Sequence, residues 1–293
     1  MLQLDNISKT FGTRPALDDV SFSVRDGRMT GFVGGNGAGK TTTMRILLGV
    51  LASDAGTIQL NGQPLGAEQR RRFGYMPEER GLYPKMKVRE QLVYLARLHG
   101  YTPAAAGRNA DGLLEELGLG ERRDSTLESL SLGNQQRAQI AASLVHDPQV
   151  LVLDEPFSGL DPLAVDTVVD VLKQRAANGA AVLFSSHQLE IVERLCDDLV
   201  IIADGGIRAS GEREALRAQH SAPRYEIVTT GDLGWLRNEP DISVVEFDGG
   251  HATFDAEESS SAQRVLRRAL AEGDVTSFTP QRASLAQIFR EVI

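Results

Sequence analysis

Eight consecutive residues decide the fold of this chain: Gly34-Gly35-Asn36-Gly37-Ala38-Gly39-Lys40-Thr41. They fit the spacing G-x-x-x-x-G-K-[ST], in which glycines let the backbone curl so that successive N–H groups point at one anion. Apolar residues 29–33 before the stretch predict a buried strand, and residues 42–48 after it predict a helix. A strand, a glycine-rich turn and a helix N-terminus together predict a phosphate-binding site.

Two side chains of this stretch have specific chemical roles in such a site. Lys40 is expected to reach the β- and γ-phosphates of a nucleotide, and the Thr41 hydroxyl is expected to bind Mg²⁺. A glycine-rich turn without a ligand is the alternative, but four specified positions match by chance in a chain of this length only about once in a hundred. The residues predicted to bind the nucleotide here are Gly34, Gly35, Asn36, Gly37, Ala38, Gly39, Lys40, Thr41 and Thr42.

The composition excludes several classes of protein. The 293 residues suffice for one large domain and a small one, and no apolar run approaches the ~18 residues that span a bilayer. The first residues lack the basic and apolar regions of a signal peptide. A single cysteine, Cys196, excludes an internal disulfide and fits a reducing cytoplasm. The net charge of −9 argues against a nucleic-acid partner.

The pattern along the chain predicts an α/β fold. Strand-like residues 2–4 and 20–24 indicate an antiparallel N-terminal sheet. Apolar residues at helical spacing make the segment of about 80–146 largely helical. Buried strands then alternate with a helix over residues 163–177, which predicts a mostly parallel sheet flanked by helices. These strands are expected at residues 150–153, 180–185 and 199–203.

A second, smaller domain is predicted after residue 217. Strand and helix patterns follow one another there in the order β-α-β-β-α-β, which is that of a small ferredoxin-like unit. Residues 213–223, which contain Pro223, are expected to form a linker. The predicted domains are therefore 1–217 and 218–293.

Two carboxylates end the apolar run Val150-Leu151-Val152-Leu153-Asp154-Glu155. A buried strand with charged residues at its mouth would have this pattern without any catalytic role. In a phosphate-loop protein, however, Asp154 can hold the hydration shell of Mg²⁺ and Glu155 can polarise an attacking water. Lys40, Asp154 and His187 each follow a predicted strand, so we expect them at one edge of the sheet.

Together these motifs resemble the ATP-binding subunit of an ABC transporter over about residues 1–220. The resemblance implies a P-loop NTPase fold of ABC type, in which His187 is the switch histidine, Asp161 belongs to the D-loop and Phe11 stacks on adenine. Taken singly, His187 and Phe11 would more often be structural, and Ser131 would be a helix N-cap. The place of the family signature Leu-Ser-Gly-Gly-Gln is taken by Leu130-Ser131-Leu132-Gly133-Asn134, whose nucleotide contacts would be Ser131, Gly133 and Asn134.

Four positions depart from the family pattern. Gly35 replaces a proline, and Leu132 and Asn134 replace a glycine and a glutamine of the signature. Most consequential is Glu78, which stands where many relatives have the glutamine of the Q-loop. A carboxylate there is predicted to join Thr41 and Asp154 as a ligand of Mg²⁺. The segment around Glu78 resembles a bacterial exporter branch whose ATPases carry an extra C-terminal domain.

The function that the resemblance implies is ATP binding and hydrolysis that power export through a separate, multi-span membrane permease. Two ATPase subunits, identical or closely related, would pair so that Ser131 and Gly133 of one cover the nucleotide of the other. Glu155 would act as the base, and the permease would dock near residues 78–86 and hold the protein at the inner face of the membrane. The alternative is a soluble ABC ATPase of translation or DNA repair. A third idea, by analogy alone, is that residues 221–293 bind a small regulatory ligand.

Overall fold

A computed structural model describes residues 1–79, 81–220, 224–281 and 285–293. The chain divides into two compact units, Met1–Arg213 and Glu214–Val292, so the division lies four residues before the expected boundary at 217/218. Within the described ranges, none of the helices has both the length and the apolar character that crossing a bilayer requires.

The first unit contains ten strands and seven α-helices among its described residues. The strands are β1 (Leu2–Phe11), β2 (Arg14–Val24), β3 (Met29–Val33), β4 (Ala55–Leu60), β5 (Gln63–Pro64), β6 (Phe73–Met76), β7 (Val150–Leu153), β8 (Ala181–Ser185), β9 (Asp198–Ala203) and β10 (Gly206–Glu212). The helices are α1 (Lys40–Leu47), α2 (Ala67–Arg70), α3 (Val88–Leu98), α4 (Pro103–Glu116), α5 (Leu132–Leu144), α6 (Pro162–Ala177) and α7 (Leu189–Leu195). Short 3₁₀ helices lie at Gly120–Arg122 and Leu127–Ser129.

Two sheets build this unit, as the sequence predicted. An antiparallel sheet has the order β2-β1-β4-β5, and a six-stranded sheet has the order β10-β9-β3-β8-β7-β6. All neighbours in the larger sheet are parallel except β10 and β9. Strands β3, β7 and β8 are buried along their whole length, which explains why they are mainly apolar rather than alternating.

One hydrophobic core joins the two sheets to helix α1. Leu4 and Phe22 from the antiparallel sheet belong to the same buried cluster as Phe32 and Leu183 of the parallel sheet. The rings of Phe22 and Phe32 lie 5.3 Å apart. Met44 of α1 completes this cluster, so the helix that follows the glycine-rich loop is anchored by burial of its apolar face.

The segment predicted to be helical contains α3, α4 and α5. Helix α4 begins at Pro103, earlier than the predicted residue 110, because Thr102 caps it and proline suits the first helical position. Strands β6 and β10 were not predicted. Strand β6 has only four residues, and its partner β7 is remote in the chain, so its pairing leaves little local signal.

The second unit has the predicted ferredoxin-like topology. Its strands β11 (Arg224–Thr229), β12 (Ile242–Asp248), β13 (His251–Ala256) and β14 (Val275–Gln281) form an antiparallel sheet of order β12-β13-β11-β14. Helices α8 (Arg213–His220), α9 (Ser259–Glu272) and α10 (Leu285–Val292) and a 3₁₀ helix (Gly234–Asn238) complete the unit. Phe254 of the sheet packs with Val265 of α9 in its core.

The predicted linker at 213–223 is wrong for its first eight residues, because 213–220 form helix α8. This stretch is rich in Arg, Glu, Ala and Leu, which are good helix formers, and the proline that indicated a break comes only afterwards. Residues 221–223 lie outside the described residues.

Two stacked histidines join the end of helix α3 to the end of helix α5. The rings of His99 and His146 are 3.7 Å apart. His99 Nδ1 lies 3.2 Å from the Arg71 carbonyl oxygen, and His146 Nε2 lies 3.0 Å from that of Phe73. Burial, with the neighbouring His99 as the second cause, lowers the pKa of His146 to about 4.

We expect acid to destabilise the fold through His146. The unfolded chain binds a proton at this histidine below about pH 6.5, whereas the folded protein binds it only below about pH 4. The unfolded state therefore holds more protons between these values, and stability falls as the pH falls. In thermal unfolding, His146→Asn should show a smaller loss of Tm between pH 7 and about pH 5 than the wild type. An equal loss would contradict this role.

Candidate nucleotide-binding site

The glycine-rich loop lies between β3 and α1, as predicted. Strand β3 ends at Val33 and helix α1 begins at Lys40, so Gly34 to Gly39 form the connection. Gly39 has φ 114°, and a Cβ atom there would lie 2.6 Å from Leu17 Cδ2. Only glycine fits this backbone, which turns the loop sharply into the first turn of the helix.

A cavity of about 550 Å³ opens beside this loop. Lys40 Nζ donates to the carbonyl oxygens of Gly34 and Gly35, at 2.6 Å and 3.1 Å. The cavity brings together most of the residues predicted to bind phosphate or to act in catalysis. The cavity is lined by Asn36, Gly37, Ala38, Gly39, Lys40, Thr41, Thr42, Glu78, Asp154, Glu155 and His187.

Asp154 is the buried carboxylate of the site, with only 2% of its surface exposed. Thr41 Oγ1 donates to its Oδ2 at 3.1 Å, and Ser185 Oγ donates to its Oδ1 at 2.6 Å. Ser185 also accepts the Glu155 backbone N–H at 2.8 Å. One hydroxyl therefore bonds both to the Asp154 carboxylate and to the backbone of Glu155.

Ser185 is not among the predicted site residues. A usable signal was present, because a hydroxyl ends the buried strand β8, and β8 lies directly beside β7, which ends before Asp154. The pairing of these two strands is visible only in the folded sheet.

Glu155 and His187 form the second pair of the site. His187 Nδ1 lies 2.8 Å from Glu155 Oε2. The Glu155 side chain is 11% exposed and that of His187 is 60% exposed, so the carboxylate is sheltered while the ring lies open to solvent. Near this site, burial first and the charge of Asp154 second raise the pKa of Tyr75 on β6.

The remaining predicted nucleotide contacts do not line the cavity. Ser131 accepts the Asn134 N–H at 3.4 Å and so caps α5, and Asp161 accepts the Ala164 N–H at 2.9 Å and caps α6. A Cβ atom on Gly133 would lie 3.4 Å from the Gly159 carbonyl oxygen, so the signature segment and the loop before Asp161 are neighbours.

Phe11 and Asn134 are also not among the residues that line the cavity. Phe11 is 52% exposed at the end of β1, with Lys9 Nζ 5.8 Å from the centre of its ring. Asn134 accepts a hydrogen bond from Arg137. The predicted contacts therefore fall into two groups, one at the cavity and one outside it.

Fold and site together define a P-loop nucleotide-binding protein, and comparison with known proteins agrees. A family model described as "ABC transporter" matches residues 17–158. A second model, described as "ATP-binding protein DrrA1-3-like, C-terminal domain", matches residues 211–293.

Three similar proteins illustrate the match. The uncharacterized ABC transporter ATP-binding protein YhaQ of Bacillus subtilis is 36% identical over 100% of this chain and 98% of its own length. The Nod factor export ATP-binding protein I of Ralstonia nicotianae is 39% identical over 74% of this chain and 68% of its own. A solved ATP binding subunit of an ABC transporter superposes with a TM-score of 0.69 at 34% identity, covering 75% of this chain and 92% of that one.

The chain belongs to the family of ABC transporter ATP-binding proteins. The resemblance drawn from its motifs is confirmed, and with it the α/β fold of ABC type. The protein is therefore an ATP-binding and ATP-hydrolysing subunit of a transporter.

Proposed function

We propose that this protein powers export as one of a pair of ATPase subunits attached to a separate membrane permease. The division of the predicted contacts into two groups carries the proposal. The cavity is lined by most of the residues predicted to bind phosphate and to catalyse hydrolysis, whereas Ser131, Gly133 and Asp161 are not among its lining residues. A second copy, or a close relative, would supply that second group and complete each site.

Export is supported by a relative rather than by the site. The Ralstonia protein is named for Nod factor export, and this chain spans 68% of it. We propose that residues 1–217 form the ATPase domain, and that residues 218–293 are a separate domain. The protein would lie at the cytoplasmic face of the membrane, held there by its permease.

The geometry supports a direct hydrolysis of ATP by water. Lys40 and the loop N–H groups would bind the phosphates, and the first turn of α1 would add its positive dipole end. Glu155 would accept a proton from the attacking water while the new oxygen bond to the γ-phosphorus forms and the bond to the β-phosphate oxygen breaks. His187, paired with Glu155 at 2.8 Å, would contact the γ-phosphate.

The residues at the cavity also fit Mg²⁺, which prefers oxygen donors and keeps several waters. Thr41 Oγ1 and Asp154 Oδ2 lie 3.1 Å apart, so one ion could be held by both. Glu78 is exposed and lines the same cavity, where its carboxylate would be a further ligand. Because Mg²⁺ usually keeps several waters and binds substrate phosphates, phosphate and water would complete the shell. The ion would neutralise charge that develops on the phosphates.

Docking of the permease is proposed at an apolar cavity of about 790 Å³ beyond the Glu78 segment. Tyr83 and Tyr94, which line it, are 64% and 47% exposed. Gln139 of α5 donates to the Pro77 and Glu79 carbonyl oxygens, at 2.7 Å and 3.2 Å. The segment that leads from the nucleotide site to this cavity is thus bonded to the signature helix, which gives a path for coupling.

The general-base assignment is tested with Glu155→Gln. The amide keeps the shape of the side chain but cannot accept the proton, so ATP binding should persist while turnover falls about 100-fold or more. Bound ATP should then trap the closed pair, which size-exclusion chromatography with light scattering would detect. Turnover close to that of the wild type would remove Glu155 from this role.

The metal assignment is tested with Glu78→Gln. The variant carries the usual Q-loop amide, which lacks the second negative charge, so half-maximal ATPase activity should require more Mg²⁺, by about two- to tenfold. The Mg²⁺ titration is made at saturating ATP, with Glu79→Gln as the matched control. Superimposable titrations of Glu78→Gln and the wild type would mean that Glu78 does not reach the ion.

The permease interface is tested with Tyr94→Glu, which places a charge in the apolar cavity. Copurification with any multi-span membrane protein that a neighbouring gene encodes should be lost, while the ATPase activity of the separate subunit stays unchanged. Leu98→Glu is the control, because Leu98 is also exposed on α3 but does not line this cavity. If the wild type copurifies with no membrane protein at all, the soluble alternative gains support.

A further inference from the structure

The backbone of Glu155 has an unusual conformation. Its φ is 51°, in the left-handed region that residues other than glycine, asparagine and aspartate seldom occupy. Such a conformation persists only where the surroundings hold it, and it occurs often at active sites. Because the conformation sets the direction of the side chain, whatever holds this backbone also aims the carboxylate.

Two buried side chains hold the peptide groups on either side of Glu155. The N–H of Glu155 donates to Ser185 Oγ at 2.8 Å. Its carbonyl oxygen accepts from Gln136 Nε2 at 3.1 Å, and the next carbonyl, of Pro156, accepts from the same nitrogen at 3.1 Å. A Ser158 N–H adds a bond to the Glu155 carbonyl at 3.2 Å, which is part of the local turn.

The orientation of the Gln136 carboxamide follows from its partners. Both contacting atoms are carbonyl oxygens, which can only accept, so the NH₂ end must face them. The side chain is 5% exposed and does not line the nucleotide cavity. Gln136 therefore acts on the site only through the backbone that it holds.

Gln136 also connects Glu155 to a particular helix. It lies on α5, whose first residues follow the cap Ser131 and include Gly133. Within the described chain, the side-chain bonds of α5 thus reach both the segment after β7 and, through Gln139, the segment after β6. The position of the signature helix and the backbone of the predicted base are therefore linked by hydrogen bonds.

We propose that Gln136 is a positioning residue for ATP hydrolysis, fixing the left-handed peptide of Glu155 to helix α5 and so aiming its carboxylate at the attacking water. The proposal rests on the proposed role of Glu155 as general base. In a purely structural role, the amide would only provide hydrogen bonds to two buried carbonyl groups. A positioning role requires in addition that loss of the amide changes catalysis through Glu155 and through no other group.

The first test is Gln136→Met, which keeps the length of the side chain and removes its donors. We expect kcat for ATP to fall about 10- to 100-fold, because a base displaced by about 1 Å loses rate on this scale. KM should stay within about twofold, because no phosphate contact is altered. Asn109→Leu is the matched control. The Asn109 amide likewise donates to a backbone carbonyl oxygen, that of Val145, which lies beyond the other end of α5. The Asn109→Leu substitution should leave kcat unchanged.

A double-mutant cycle distinguishes positioning from general damage. In the Glu155→Gln background, Gln136→Met should cause no further loss of single-turnover hydrolysis, because the group it positions has already lost its function. If the second substitution lowers the residual rate by the same factor as in the wild type, the proposal is overturned. An unchanged kcat in Gln136→Met overturns it as well.

Two measurements keep these outcomes separate from folding and from the role of Glu155. Thermal unfolding checks each variant, and Gln136→Leu, which is uncharged and also has no donor, decides the question if Gln136→Met does not fold. It should show the same loss of kcat, and wild-type kcat in a folded Gln136→Leu protein overturns the proposal. Should Glu155→Gln hydrolyse ATP like the wild type, the general-base assignment fails first, independently of Gln136.

Discussion

A single buried carboxylate, that of Asp154, holds the nucleotide site together. Removing a carboxylate from water is costly unless hydrogen bonds replace its hydration, and Asp154 obtains them from Thr41 and Ser185. These partners belong to α1 and β8, so the bonds tie the helix after the glycine-rich loop to two neighbouring strands of the parallel sheet. Ser185 in turn holds the backbone of Glu155, which extends the same network to the predicted base.

Helix α5 connects this hydrogen-bond network to the signature residues and to the segment that follows β6. Its N-terminus carries Ser131 and Gly133, which we propose to cover the nucleotide of a partner. Further along, Gln136 and Gln139 bond to the backbone after β7 and after β6. A shift of α5 would therefore act at once on the base and on the segment leading to the proposed permease surface. Buried amides suit this task, because an unpaired carbonyl in the interior is costly and the bonds are not easily given up.

Much of the fold could be predicted because the deciding signals are local. The glycine pattern of residues 34–41, the uniformly apolar strand before Asp154 and the helical spacing after residue 80 each lie within one short window. Strands β6 and β10 escaped prediction because they are recognised by their partners in the sheet, and α8 because a nearby proline suggested a break. Ser185 and Gln136 escaped for a related reason, since a hydroxyl or amide acquires its role only when a remote backbone is brought beside it.

The sequence by itself determined the class of site, because phosphate binding needs a backbone conformation that a few glycines and one lysine at set spacing encode. It also indicated that Lys40, Asp154 and His187 would lie at one edge, since parallel strands end on the same side of a sheet. Only the tertiary structure decided which groups hold those residues in place. The bonds from Ser185 to Asp154 and from Gln136 to Glu155 join residues 31 and 19 positions apart, and no local pattern specifies contacts made by packing strands and a helix together.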